Sequence, residues 1–288
     1  SEGKEAWLKH SQRYQDGRIH GSVITNACVS GRCSHRNPNM AQIPRVGQPY
    51  GAECRGLFYA PHGWRQVGCD ASGLELRGLG AQLAYFDGGE YAKLVSTEGF
   101  DIHTHNAKLF GIYDGQGTIE KRIREQAKTL IYAVLYGAGA QKLGTILDPS
   151  LGQYDQQDLG RETIETFYKN LPAIKKLKDK VDERVLDRGF LIGIDGRHLQ
   201  IRSRHSALNQ LLQSTGSLCV KKATCILYED LKENKLRWGI HYAFVAHIHD
   251  EIQALVKPQH VSLYKTVSYT HLRAHETVLD LVCRLLLE

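Results

Sequence analysis

The chain has 288 residues, 42% of them apolar, enough to bury a sizeable core in one large domain or two smaller ones. Its net charge of +6 permits a polyanionic partner without demanding one, and the sequence contains neither a signal peptide nor an apolar run of about 18 residues that could span a membrane. Seven cysteines form no Cys-x-x-Cys pair and leave an odd count, which argues against a disulfide framework or a zinc site and fits a reducing cytoplasm.

In chain order, residues 1–20 read as an amphipathic helix around Trp7 and Leu8, broken at Gly17 and Gly21 before an extended run from Ser22 to Val29. Residues 31–45 are loop-like and carry Arg32, Arg36 and Arg45; such arginines either grip phosphates bidentately or remain solvated. Gln66 to Cys69 reads as a strand, and Leu74, Leu76, Leu79 and Leu83 take helical spacing from Gly73 onward, so Asp70 stands at a strand end. A carboxylate there can open a helix or hold a divalent cation. After Leu83 the chain reads as polar and glycine-bearing, followed by DIHTHNAKLF and a loop, YDGQGT.

Ile119 to Tyr136 is a strong helix stopped by Gly137 and Gly139, with Arg124, Lys128, Tyr132 and Tyr136 four residues apart along one face. That face could meet a triphosphate with its cations and a sugar and base with its rings, or it could be a solvated stripe above core tyrosines. Asp158 to Val185 is helical and interrupted at Pro172, with Lys175, Lys176 and Lys178 read as a solvated face. Asp195-Gly196 predicts a hairpin within Phe190 to Ile201. A long helix from Ser206 carries Asn209 and Gln213 on one face, amides whose partners are either nucleic-acid edges or backbone carbonyls. Finally, the apolar runs at 243–246 and 252–256 flank a polar tip and predict a hairpin with Asp250 at its apex. Two aspartates presented from neighbouring strand ends could bridge a pair of metal ions about 3.5–4 Å apart.

Three of these pieces, in this order, resemble the family A DNA polymerases, the DNA polymerase I type, and look most similar to the replicative enzymes of podovirus-like bacteriophages. DASGLELR from Asp70 resembles the first palm motif. Arg124, Lys128 and Tyr136-Gly137 resemble the fingers motif, and His249-Asp250-Glu251 resembles the second palm motif. The resemblance implies an α+β fold: a right-hand palm of antiparallel sheet and helices with an inserted helical fingers lobe. The expected domains are residues 1–92 (palm with thumb remnant), 93–194 (fingers) and 195–265 (the rest of the palm), with most of the thumb and any exonuclease upstream.

Carried across, it implies that Asp70 and Asp250 hold two magnesium ions with help from the Ala71 carbonyl. Glu75 would be the steric gate against ribose, and His103, Arg124 and Lys128 would bind the incoming dNTP. Lys128 is also expected to act with the two aspartates in catalysis. Tyr132 would pack under the sugar; as Tyr rather than Phe it implies ready use of dideoxynucleotides. Arg32, Tyr136, Gly137, His205, Asn209, Gln213, His249 and Glu251 would contact primer-template DNA. The implied activity is DNA-directed DNA synthesis in phage replication, within the cytoplasm of a bacterial host. A truncated, non-catalytic DNA-binding remnant is the alternative.

The likeness stops near Lys265. Residues 266–277, TVSYTHLRAHET, back-translate to a string similar to the transposon-end and adaptor sequence of tagmentation libraries, so 266–288 is expected to be a non-native tail. A metal cluster of His271, His275 and Glu276, or an amphipathic C-terminal helix, is the other reading of that tail.

Overall fold

The computed structural model describes residues 14–273; the expected helix around Trp7, and His275 and Glu276, lie outside them. The elements run β1 (Ser22–Ile24), β2 (Ser34–Arg36), α1 (Gly51–Gly56), β3 (Arg65–Asp70), α2 (Leu74–Asp87), α3 (Glu90–Ser96), α4 (Ile102–Leu109) and α5 (Lys121–Leu135). They continue with α6 (Ala140–Leu147), α7 (Gln153–Asn170), α8 (Pro172–Arg188), β4 (Phe190–Ile192), β5 (His198–Gln200), α9 (Ala207–Glu233), β6 (Tyr242–Ile248), β7 (Glu251–Val256) and α10 (Val261–Arg273). The fold is α+β. Two compact units result: one joins residues up to Ser72 with those from Ser217 to His275, and the other spans Gly73–Gly216.

The first unit is built on an antiparallel sheet of order β3-β7-β6. Burial alternates along β7, so Ile252, Ala254 and Val256 face a core that also holds Val67, Tyr242 and Tyr264. Cys69 lies on the same side, its thiol donating to Ser268 Oγ of α10 at 3.0 Å. The opposite face carries Gln66, Gly68 and Asp70 beside Leu255, Gln253 and Glu251. The ladder slips between Phe244 and Ala246, which leaves Val245 unpaired and turns His247 to face the core-side residue Ile252 across the sheet.

The second unit is helical around one apolar cluster that includes Leu76, Leu79, Leu83, Phe110, Leu130, Ile131, Phe167 and Leu177. The leucines that predicted α2 are all buried here. Pro172 opens α8 at a position where its missing N–H costs nothing. Helices α6 and α7 cross with their backbones in contact: a Cβ on Gly144 would stand 1.8 Å from Gln156 O, and one on Gly160 would stand 1.8 Å from Ala140 O. Only glycine permits that approach.

Three expectations need correction. The extended run predicted to reach Val29 ends at Ile24, because the chain turns back with Gly31 N donating to Cys28 O. The loop-like stretch 31–45 contains β2, paired to β1 through Val23 and His35. The segment after Leu83, read only as polar and glycine-bearing, is largely helical. Helix α2 runs on to Asp87, whose carboxylate accepts from Gly89 N and Tyr91 N, and α3 follows at once because Tyr91 and Ala92 are needed in the core. Helix α6 was not anticipated, since its eight residues carry too short an apolar pattern to stand out.

Candidate active site

In the first unit the geometry around Asp70 follows from register. Asp70 is the last residue of β3 and pairs directly with Glu251, the first residue of β7, so their side chains share one face of the sheet. Residues His249 and Asp250 form the two-residue connection between β6 and β7, with His249 in the left-handed region at φ 57°. Ala71 N donates to Asp250 O at 3.0 Å and locks the turn against the end of β3. Three acidic side chains are thereby crowded together. Burial pushes the Asp70 carboxyl above its ordinary pKa, and the charges of Asp250 and Glu251 push it further in the same direction.

Such a pair of crowded hard-oxygen donors suits a divalent cation, which would relieve the repulsion that the protein alone leaves in place. Among the described residues no three His, Cys, Asp or Glu side chains close around one point as a metal cage.

In the second unit α5 buries Ala127, Leu130, Ile131, Val134 and Leu135 and turns Lys128 to solvent, with Arg124 and Tyr132 half-buried and Tyr136 46% exposed. The rings of Tyr132 and Tyr136 lie 6.2 Å apart, and Tyr136 OH donates to Glu75 Oε2 at 2.9 Å. His103 sits in the first turn of α4, its pKa lowered by burial and then by the charges of Arg124 and Lys128. Its Nδ1 is buried with no hydrogen-bond partner among the described residues. Glu75, His103, Arg124, Lys128, Tyr132 and Tyr136 thus belong to one neighbourhood.

Asp101 is the residue that sequence reasoning missed. It caps α4 by accepting from His103 N at 3.2 Å and from Thr104 Oγ1 at 2.6 Å, and it receives Arg124 through Nε at 2.7 Å and Nη2 at 3.0 Å. Burial alone would raise its pKa, but the hydrogen bonds from Arg124 and Thr104 outweigh that and bring it down to about 2. An aspartate just before a helical run is a recognisable cap signal, but its second partner lies 23 residues away and leaves no local trace.

The remaining expected residues are dispersed. Gly137 adopts φ 75° and lies against the turn at Arg204–Ser206, where any Cβ would meet His205 O at 2.1 Å. With Lys178, Asp182 and Arg204 these two line a cavity of about 250 Å³. Asn209 Oδ1, on α9, is buried without a partner among the described residues, and Gln213 is half-buried one turn further on. Arg32 stands in the first unit, on the connection between β1 and β2.

Comparison with known proteins identifies the class. DNA polymerase family A matches residues 5–287. The DNA-directed DNA polymerase of Enterobacteria phage T3 is 39% identical over 93% of this chain and 38% of its own length, and that of Escherichia phage T7 is 38% identical over 91% and 38%. The thermostable DNA polymerase I of Thermus aquaticus is 30% identical over 82% of this chain and 28% of its own. Among solved structures, the POL domain of Pol1 from M. smegmatis in complex with DNA primer-template and dNTP superposes with a TM-score of 0.76 at 20% identity, covering 92% of this chain and 46% of that one. The chain spans well under half the length of these phage relatives. It belongs to DNA polymerase family A, of the phage type.

Proposed function

We propose that this chain carries the nucleotidyl-transfer core of a phage replicative DNA polymerase, adding dNTPs to a primer 3′-hydroxyl under the direction of a template. The observation that supports it most is the acidic turn: Asp70 and Asp250, 180 positions apart in sequence, are joined through the Ala71 amide, and Asp70 is held above its ordinary pKa. The palm and fingers assignments of the sequence are part of this reading.

Magnesium would be held by Asp70 and Asp250 with the Ala71 carbonyl; when bound, it supplies charge stabilisation at the reacting phosphate and makes the primer hydroxyl a better nucleophile. The hydroxyl gives up its proton to solvent as its oxygen bonds to the α-phosphorus, and the bond from that phosphorus to the bridging oxygen breaks to release pyrophosphate. Arg124 and Lys128 bind and neutralise the departing phosphates, and His103 contributes a further phosphate contact from beside them. Tyr132 orients the sugar, and Glu75 excludes a ribose hydroxyl. Tyr136, Gly137, His205, Asn209, Gln213, His249 and Glu251 position the primer-template.

A non-catalytic DNA-binding fragment is the second reading. Primer extension with the chain and with Asp70→Ala separates the two. Cation-dependent synthesis that Asp70→Ala abolishes supports the enzyme, whereas salt-dependent DNA affinity without synthesis in either form supports the fragment. The tail from residue 266 is part of the same proposal as a translated adaptor, against which stands the family match that runs on past Lys265 to residue 287; a genomic copy of the gene with a different continuation after Lys265 would support it, and one that continues into this same tail would overturn it.

A further inference from the structure

The connection between β1 and β2, which bears Arg32, is tied down by one cation from a distant helix. Lys221, on α9, directs its ammonium to Thr25 O, to Asn26 Oδ1 at 3.2 Å and to Gly31 O at 2.5 Å. Thr25 and Gly31 bracket the turn, which Gly31 N closes onto Cys28 O at 2.8 Å, and Arg32 follows directly. From the sheet, His247 approaches the same segment, its Nδ1 4.0 Å from the thiol of Cys33, which in turn reaches Thr25 O at 3.9 Å. Ser30, Gly31 and Cys33 are buried although they sit in a turn.

An ammonium has three donors, and here they meet three neutral oxygens, two of them backbone carbonyls from opposite ends of one turn. These contacts hold the turn closed and leave the lysine charge without a carboxylate in the set. Loss of the ammonium would leave two carbonyls short of a partner and free the turn to open.

We infer that Lys221 is a positioning residue for Arg32: it clamps the β1–β2 turn so that the guanidinium next to it is presented to duplex DNA near the primer end. This rests on the reading of Arg32 as a DNA contact, and the test separates the two. Lys221→Met keeps the aliphatic stem and removes the donors, and Lys221→Arg restores a cation. Lys221→Met should weaken primer-template binding about tenfold, the worth of one specific contact, with the KM for dNTP unchanged on saturating duplex. Lys221→Arg should recover most of that affinity. Amide exchange should quicken across residues 25–33 in Lys221→Met while β3 and β7 keep their protection. Added to Arg32→Ala, Lys221→Met should cost little more, because both remove the same contact.

Unchanged exchange across 25–33, or losses that add in full, would overturn the clamp. If Arg32→Ala leaves duplex affinity intact while exchange still quickens in Lys221→Met, the clamp stands and the DNA role of Arg32 falls.

Discussion

The acidic turn and the cationic face of α5 carry opposite charge and are stabilised in opposite ways. At the turn, the backbone register brings Asp70 opposite Glu251 and beside Asp250, and Asp70 is electrostatically worse off for being there. On α5, Arg124 is already satisfied, paired bidentately with a carboxylate whose pKa has been drawn down to about 2. The first site is left with unrelieved repulsion. The second is satisfied within itself, Arg124 by Asp101. On the proposed reading, repulsion is stored where a cation would bind and order is kept where a flexible polyphosphate would be caught.

Removing a turn carboxylate should have the largest effect. Asp250→Asn should reduce primer extension by on the order of 10³-fold or more. Asp70→Asn should do the same without lowering the melting temperature in cation-free buffer, since it removes a repelled charge. The sign follows from the raised Asp70 pKa: the folded state takes up this proton more readily than the unfolded one, so the group's contribution falls as pH rises above the ordinary carboxylate range. A clear drop in melting temperature for Asp70→Asn would show that the turn is not under repulsion.

Asp101→Asn should act in the opposite sense, lowering the melting temperature by about a few degrees and raising the KM for dNTP about tenfold, because Arg124 loses its mooring. In the wild type the Asp101 contribution is present above the ordinary carboxylate pKa and is lost as pH falls toward about 2, which an acid titration of both proteins would reveal. Improved dNTP binding in Asp101→Asn would instead mean that the pair is inhibitory.

A smaller effect is expected at Tyr132, where loss of the phenol in Tyr132→Phe should increase discrimination against dideoxynucleotides about fivefold, the value of one hydrogen bond. Competition between dideoxy- and deoxynucleotides in primer extension measures it. The smallest is at His103. Burial and the neighbouring cations lower the pKa of its imidazole, and an anion would oppose that shift. Binding of inorganic triphosphate should therefore tighten about threefold from pH 7.5 to pH 6, and His103→Gln should abolish the pH dependence.

The sequence made the two termini of the argument visible and hid the links between them. The leucine spacing of α2, the Asp195-Gly196 hairpin and the face of α5 are local patterns, and each was legible for that reason. The hairpin tip at Asp250 was legible from the apolar runs on either side of it. Register was not: that Asp70 opposes Glu251 depends on pairing between segments about 180 residues apart, and the slip near Val245 that re-aims His247 breaks the even alternation that a hairpin's apolar runs suggest. Asp101 and Lys221 were passed over for the same reason. Each looks like an ordinary surface charge until its distant partner is known. Helix α3 was lost to the glycines at 88 and 89, which interrupt the helical pattern but serve as the joint between two helices.

The bare crossing of Gly144 over Gly160 has a consequence of its own. With no side chain interposed, α6 and α7 have nothing to roll on and form one stiff plank, which a single methyl at either position would wedge apart.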